Sequence, residues 1–153
     1  MLTPFDTTTL HAISPAAVDP RRRYRPLSGA LVGLGFPNPT AEVTEDTLDL
    51  NELLIRNEPA TFFYRASGNS MILAGILDQD IVCVDRSVTP RDGDIVLAIF
   101  DANVVCKILR VRGDHIELHS ANPHHAPIVF QAGAEVEVFA ITAVVRQVIR
   151  GKR

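Results

Sequence analysis

Ala66 to Leu77 reads A-S-G-N-S-M-I-L-A-G-I-L, and 37 residues beyond Ser70 comes Lys107, set in the apolar run V-V-C-K-I-L at 104–109. Gly68 and Asn69 are turn formers and Met71 to Ile76 forms an apolar short helix. The chain is therefore expected to bend sharply at Ser70 and present its hydroxyl at a helix N-terminus, a good place for an oxyanion. The same residues also suit a plain helix cap, with Ser70 or Asn69 closing the first turn. Around Lys107 the pattern is that of a strand, which draws the side chain toward apolar surroundings. Burial favours the neutral amine. Bringing a lysine from about 10.4 to near neutrality takes about 4 kcal/mol, which full desolvation supplies. A neutral amine can accept a serine proton, whereas a lysine on an edge strand can instead snorkel to water. Spacing alone does not choose between these readings.

Outward from this stretch the chain reads as strands. Phe62 to Arg65, Ile81 to Asp85, Asp94 to Phe100, Asn103 to Arg112, His115 to His119, Ile128 to Phe130 and Val136 to Ile149 are separated by turn chemistry at Asp92-Gly93, Asp101-Ala102-Asn103 and Gly113-Asp114. The body is predicted to be mostly β, a coiled sheet with one or two short helices. The second helix spans Asp49 to Asn57. Asp49 caps it with Glu52 in capping-box position, Leu50, Leu53 and Leu54 form an apolar stripe suited to core or interface, core being the default, and Pro59 stops it.

The 153 residues suit a single domain with one core, and 46% apolar with 22% charged residues is an ordinary soluble composition. No apolar run is long enough for a membrane span and no leader is visible at the N-terminus, so a cytoplasmic protein is expected. Residues 1–30, punctuated by Pro4, Pro15, Pro20 and Pro26, lack a sustained period and read as an extended arm. Residues 1–34 hold four arginines, Arg21, Arg22, Arg23 and Arg25, against two aspartates, a formal +2; the remainder, with 11 basic and 16 acidic residues, carries −5. Such an arm can dock on the acidic body by charge, but overall acidity speaks against a dedicated DNA binder. Cys83 and Cys106 lie in strand-like runs and read as small buried hydrophobes. Cys106 and Lys107 are neighbours in a strand and so point to opposite faces. Four histidines fall between His115 and His125. No carboxylate or cysteine lies at ligand spacing from His124 and His125, so they read as turn residues and no metal site is expected.

These residues carry a resemblance. G-N-S-M at 68–71, D-x-D-I-V-x-V-D at 78–85, G-D-I-V at 93–96, the lysine 37 residues after the serine and N-P-H-H-A-P-I at 122–128 resemble the LexA/UmuD family of self-cleaving serine-lysine peptidases. L-V-G-L-G-F-P-N-P at 31–39 and D-L-N-E-L-L-I at 49–55 extend the resemblance upstream, toward its UmuD branch. It implies a LexA/signal-peptidase-like coiled sheet behind an N-terminal arm, with residues 1–34 removed by self-cleavage and residues 35–153 as the peptidase and polymerase-binding domain. It further implies Ser70 as nucleophile, Lys107 as general base, and the backbone N–H groups of Asn69 and Ser70 as the oxyanion site. The scissile bond is Leu34–Gly35, and no metal or cofactor is required. The resemblance implies a small residue, usually alanine or cysteine, before that glycine, so Leu34 departs from the pattern. The implied partners are a second copy of the chain in a homodimer, a RecA nucleoprotein filament and a UmuC-like Y-family DNA polymerase acting in translesion synthesis within the SOS response. Neither a membrane nor specific DNA is among them. A repressor of the LexA class needs a helix-turn-helix that residues 1–30 do not supply, and a signal peptidase needs a membrane anchor. A polymerase-binding homologue that no longer cleaves is the remaining rival.

Overall fold

The computed structural model describes residues 11–15, 21–28 and 45–147. Among the described residues the strands are β1 (His11–Pro15), β2 (Arg25–Ser28), β3 (Glu45–Leu48), β4 (Thr61–Arg65), β5 (Ile81–Asp85), β6 (Ile95–Phe100), β7 (Asn103–Arg112), β8 (His115–His119), β9 (Ile128–Gln131) and β10 (Glu137–Val145), with one α-helix, α1 (Leu50–Leu54). Eight of them make one antiparallel sheet in the order β1-β4-β5-β10-β6-β7-β8-β9, and β2 pairs with β3 in a separate ribbon. The expected mostly-β architecture is therefore found. The last strand is shorter than expected, ending at Val145, and Ile149 lies outside the described residues.

Why this sheet forms is plain along β6 and β7. Leu97 and Cys106 belong to one buried cluster with Tyr64, Met71, Val82 and Val84, whereas Val96, Ala98 and Val105 belong to a second with Leu109 and Leu118. Alternation along a strand sends these sets to opposite faces, so β6 and β7 are covered on both sides and read as continuous apolar runs. Cys83 and Cys106 are free thiols in this core. Burial pushes Cys83 up to about 11 and Cys106 up to about 12, the latter against a smaller lowering by Lys107.

Three expectations are corrected. The arm is not without strands: β1 pairs with β4 as an edge of the large sheet, and β2 pairs with β3. Five residues suffice because the partner strand supplies the hydrogen-bond pattern, which a local period does not reveal. In α1, Asp49 caps the helix by accepting from Asn51 N at 2.8 Å, but Glu52 does not face back to close the box. It turns to the arm, accepting from the Tyr24 hydroxyl at 3.2 Å and meeting Arg22 at 3.5 Å. The apolar stripe is not core either, for Leu50 is 60% and Leu53 57% exposed. Asp49 instead is buried and also accepts from Arg23 N at 2.6 Å, and these two backbone donors hold its carboxyl below the usual aspartate range. The helix is thus oriented by its cap rather than by its leucines.

Candidate active site

The segment between β4 and β5 is a loop with pinned ends. Ala66 N donates to Asp80 O at 2.7 Å and Gln79 N to Ala66 O at 2.8 Å, closing its base. Inside, Gly68 takes a φ of 91°, a left-handed conformation that glycine adopts without strain, and its N–H donates to Asp78 Oδ1 at 2.8 Å. The expected helix is only a 3-10 turn, Ile72–Ala74, and its N-cap position is Met71, which makes no side-chain cap. Ser70 stands one residue before that cap, so the plain capping role for Ser70 or Asn69 is not the one seen. Ser70 is 1% exposed, with Met71 beside it packed into the first core cluster.

Asp80 fastens the far side of the loop. It is 2% exposed, accepts from Leu77 N at 2.8 Å, and receives Arg146 Nε at 2.7 Å, while Arg146 Nη2 donates to Gly75 O at 2.6 Å. The guanidinium holds the Asp80 carboxyl below its ordinary range, burial opposing it. The last described strand therefore ends in a clamp on the loop that carries Ser70.

Lys107 lies on β7 opposite Val96 of β6 and is 4% exposed. The β7–β8 ladder pairs Leu109 with Leu118 and ends at Ile108 with His119. One further step of the same register sets Lys107 opposite Ser120, and Lys107 Nζ donates to Ser120 Oγ at 3.0 Å. The next two residues turn to the other loop. Leu73 N donates to Ala121 O at 3.0 Å, and Asn122 Nδ2 donates to Asn69 O at 3.1 Å. Asn122 is itself fixed, its Oδ1 accepting from His124 N at 3.1 Å, and His125 Nε2 lies 3.2 Å from Asn69 Oδ1. Residues 120–122 thus touch the buried lysine at one end and the two sides of Ser70 at the other. Leu34 and Gly35 lie outside the described residues.

Ser120 and Asn122 did not emerge from the sequence as site residues. Asn122 opens the N-P-H-H-A-P-I stretch, but its role was not legible there, since its partner lies 53 residues away. Ser120 did have a local signal: a hairpin turning at Gly113-Asp114 fixes the register, and counting back from it puts 120 across from 107. The remaining histidines are engaged elsewhere. His115 Nδ1 meets Asp114 at 2.9 Å and is shifted upward mainly by it, and His119 Nε2 meets Glu117 at 2.6 Å. Among the described residues no group of three or more His, Cys, Asp or Glu side chains is set to hold a metal ion, and no helix is long and apolar enough to cross a membrane.

A mostly-β domain in which a large antiparallel sheet buries a serine-bearing glycine turn and a lysine is of the LexA/UmuD fold class. The Peptidase S24-like family model matches residues 26–145, and the chain belongs to that family, whose members are generally self-cleaving serine peptidases. Protein ImpA of Salmonella typhimurium is 44% identical over 88 residues, 58% of this chain and 61% of ImpA. Protein SamA of Salmonella typhimurium strain LT2 is 37% identical over 123 residues, 80% of this chain and 85% of SamA. A LexA repressor from an Anaeromyxobacter species is 32% identical over 147 residues, 96% of this chain and 62% of the repressor. The chain thus spans about three-fifths of the length of the ImpA and LexA relatives it matches.

Proposed function

We propose that the chain is a self-cleaving serine-lysine peptidase of the UmuD type. Ser70 Oγ attacks the carbonyl carbon of Leu34 while the neutral Lys107 amine takes the hydroxyl proton; the backbone N–H groups of Asn69 and Ser70 receive the oxyanion. Collapse breaks the Leu34–Gly35 bond, the lysine returns the proton to the Gly35 amine, and water then releases Leu34 from Ser70 with Lys107 again as base. The observation that carries this reading is the burial of both Ser70 and Lys107, with one segment of three residues bonded to the lysine at one end and to Asn69 and Leu73, on either side of Ser70, at the other. Membership of the S24-like family agrees with it. By the same reading, a RecA filament on single-stranded DNA stimulates the cut, and residues 35–153 form a homodimer that serves an error-prone Y-family polymerase in the cytoplasm.

A second reading is favoured by the repressor match, which takes in nearly the whole chain: a LexA-like body whose self-cleavage ends repression. Mass spectrometry of purified protein incubated at alkaline pH tests the shared chemistry, with a fragment beginning at Gly35 as the expected product. An intact chain after prolonged incubation, with and without RecA on single-stranded DNA, would leave only a polymerase-binding or regulatory role.

A further inference from the structure

The proposed base needs more than burial. A lysine amine sits on a flexible four-carbon stem and rotates freely about its last bond, so a neutral amine aims its single lone pair at a nucleophile only if its N–H groups are held. Ser120 Oγ, 3.0 Å from Lys107 Nζ, accepts one of them. The residue that bears this oxygen is held along the chain on both sides. His119 before it is the last residue of the β8 ladder, and Ala121 and Asn122 after it are hydrogen-bonded to Leu73 and Asn69. The Ser120 backbone is therefore held between the strand bearing Lys107 and the turn bearing Ser70, with its hydroxyl on the lysine amine.

We infer that Ser120 is a positioning residue for this reaction, orienting the Lys107 amine toward the nucleophile. The inference rests on the serine-lysine reading above and adds a third side chain to it. It also carries a direction that simple packing does not. An oxygen that accepts from the lysine favours its charged form, so removing it makes the neutral amine available at lower pH while leaving it poorly aimed.

The test is the pH profile of self-cleavage for the full chain and for Ser120→Ala and Ser120→Thr, with Ser70→Ala and Lys107→Ala alongside. Other titratable groups border the segment: His119, engaged by Glu117, His125 at Asn69, and the Cys106 thiol, pushed up to about 12. His119→Gln and His125→Gln therefore accompany the series as controls for the midpoint. The expected result is a plateau rate lowered about ten- to a hundredfold in Ser120→Ala, which is about 1.4 to 2.7 kcal/mol at 1.36 kcal/mol per tenfold. Its midpoint should move to lower pH, and Ser120→Thr should restore both. An unmoved midpoint, an unchanged plateau, or a threonine variant as slow as alanine overturns the inference and leaves the dyad standing if Ser70→Ala and Lys107→Ala are silent. Cleavage persisting in Lys107→Ala removes the dyad and the inference together. On the uncleavable Ser70→Ala background, NMR titration of the Lys107 side chain reads the same shift without cleavage, and an identical midpoint with and without Ser120 overturns the inference there.

Discussion

Ser70 and Lys107 are both buried, at 1% and 4% exposure, and of the two the lysine is the costlier to bury. An ammonium taken from water loses several kcal/mol of solvation unless it finds partners or gives up its proton. A base that works only when neutral gives cleavage that accelerates as pH rises toward its pKa. Ser70→Ala and Lys107→Ala should each abolish the Gly35 fragment at every pH, and its persistence in either variant would end the assignment. At the proposed scissile bond the sequence departs from the family resemblance at Leu34. A pocket shaped for a small residue resists leucine by about 1 to 3 kcal/mol of overpacking, or roughly a ten- to hundredfold loss of rate if felt in the transition state. Leu34→Ala should cut faster than the parent at equal pH, with the same Gly35 terminus; a slower variant would show a pocket enlarged for leucine.

Among the elements, the 66–80 loop depends on an ion pair at its far end. Arg146→Ala leaves Asp80 buried and ionised without its partner, so the melting temperature should fall by several degrees and self-cleavage should slow with it. Because the pair depresses the Asp80 carboxyl, its stabilisation is fully present above the ordinary aspartate value of about 3.9 and is lost as pH falls through the lower folded value. The gap in Tm between parent and variant should accordingly close in acid, and a gap constant with pH would mean that Arg146 acts by packing alone. The strands from β4 to β9 were legible because each is an apolar run bounded by turn residues, which is a local property. The strands β1 and β2 and the outward turn of α1 were not, because each is decided by a partner distant in sequence: β4 for β1, and the Arg23 N–H for Asp49. Within the site the serine turn and the apolar lysine run could be picked out, whereas Ser120 and Asn122 matter only through contacts that fold-level register creates.

At the scale of the whole molecule, both core clusters are built, among the described residues, from positions between Phe62 and Ile141, and the described part of the 1–34 segment joins the large sheet at the β1–β4 edge. A fragment of residues 35–153 should therefore unfold cooperatively, with a Tm below that of the full chain by whatever the edge strand and the Arg23–Asp49 contact contribute. Aggregation, or loss of a cooperative transition, would show that the core depends on the arm.

The position of β1 at the sheet's edge also bears on what a cut accomplishes. Before hydrolysis that strand is tethered to its site through residues 16–60, so its docking is intramolecular, at an effective concentration set by the length of the tether. Afterwards the same strand is a free peptide that must compete by mass action at whatever concentration the cell contains. Breaking Leu34–Gly35 would remove that tether. It turns a permanent occupant of the β4 edge into a dissociable one, so the exposed edge, with its unpaired backbone groups open to another chain, appears with dilution and time rather than with the chemical step.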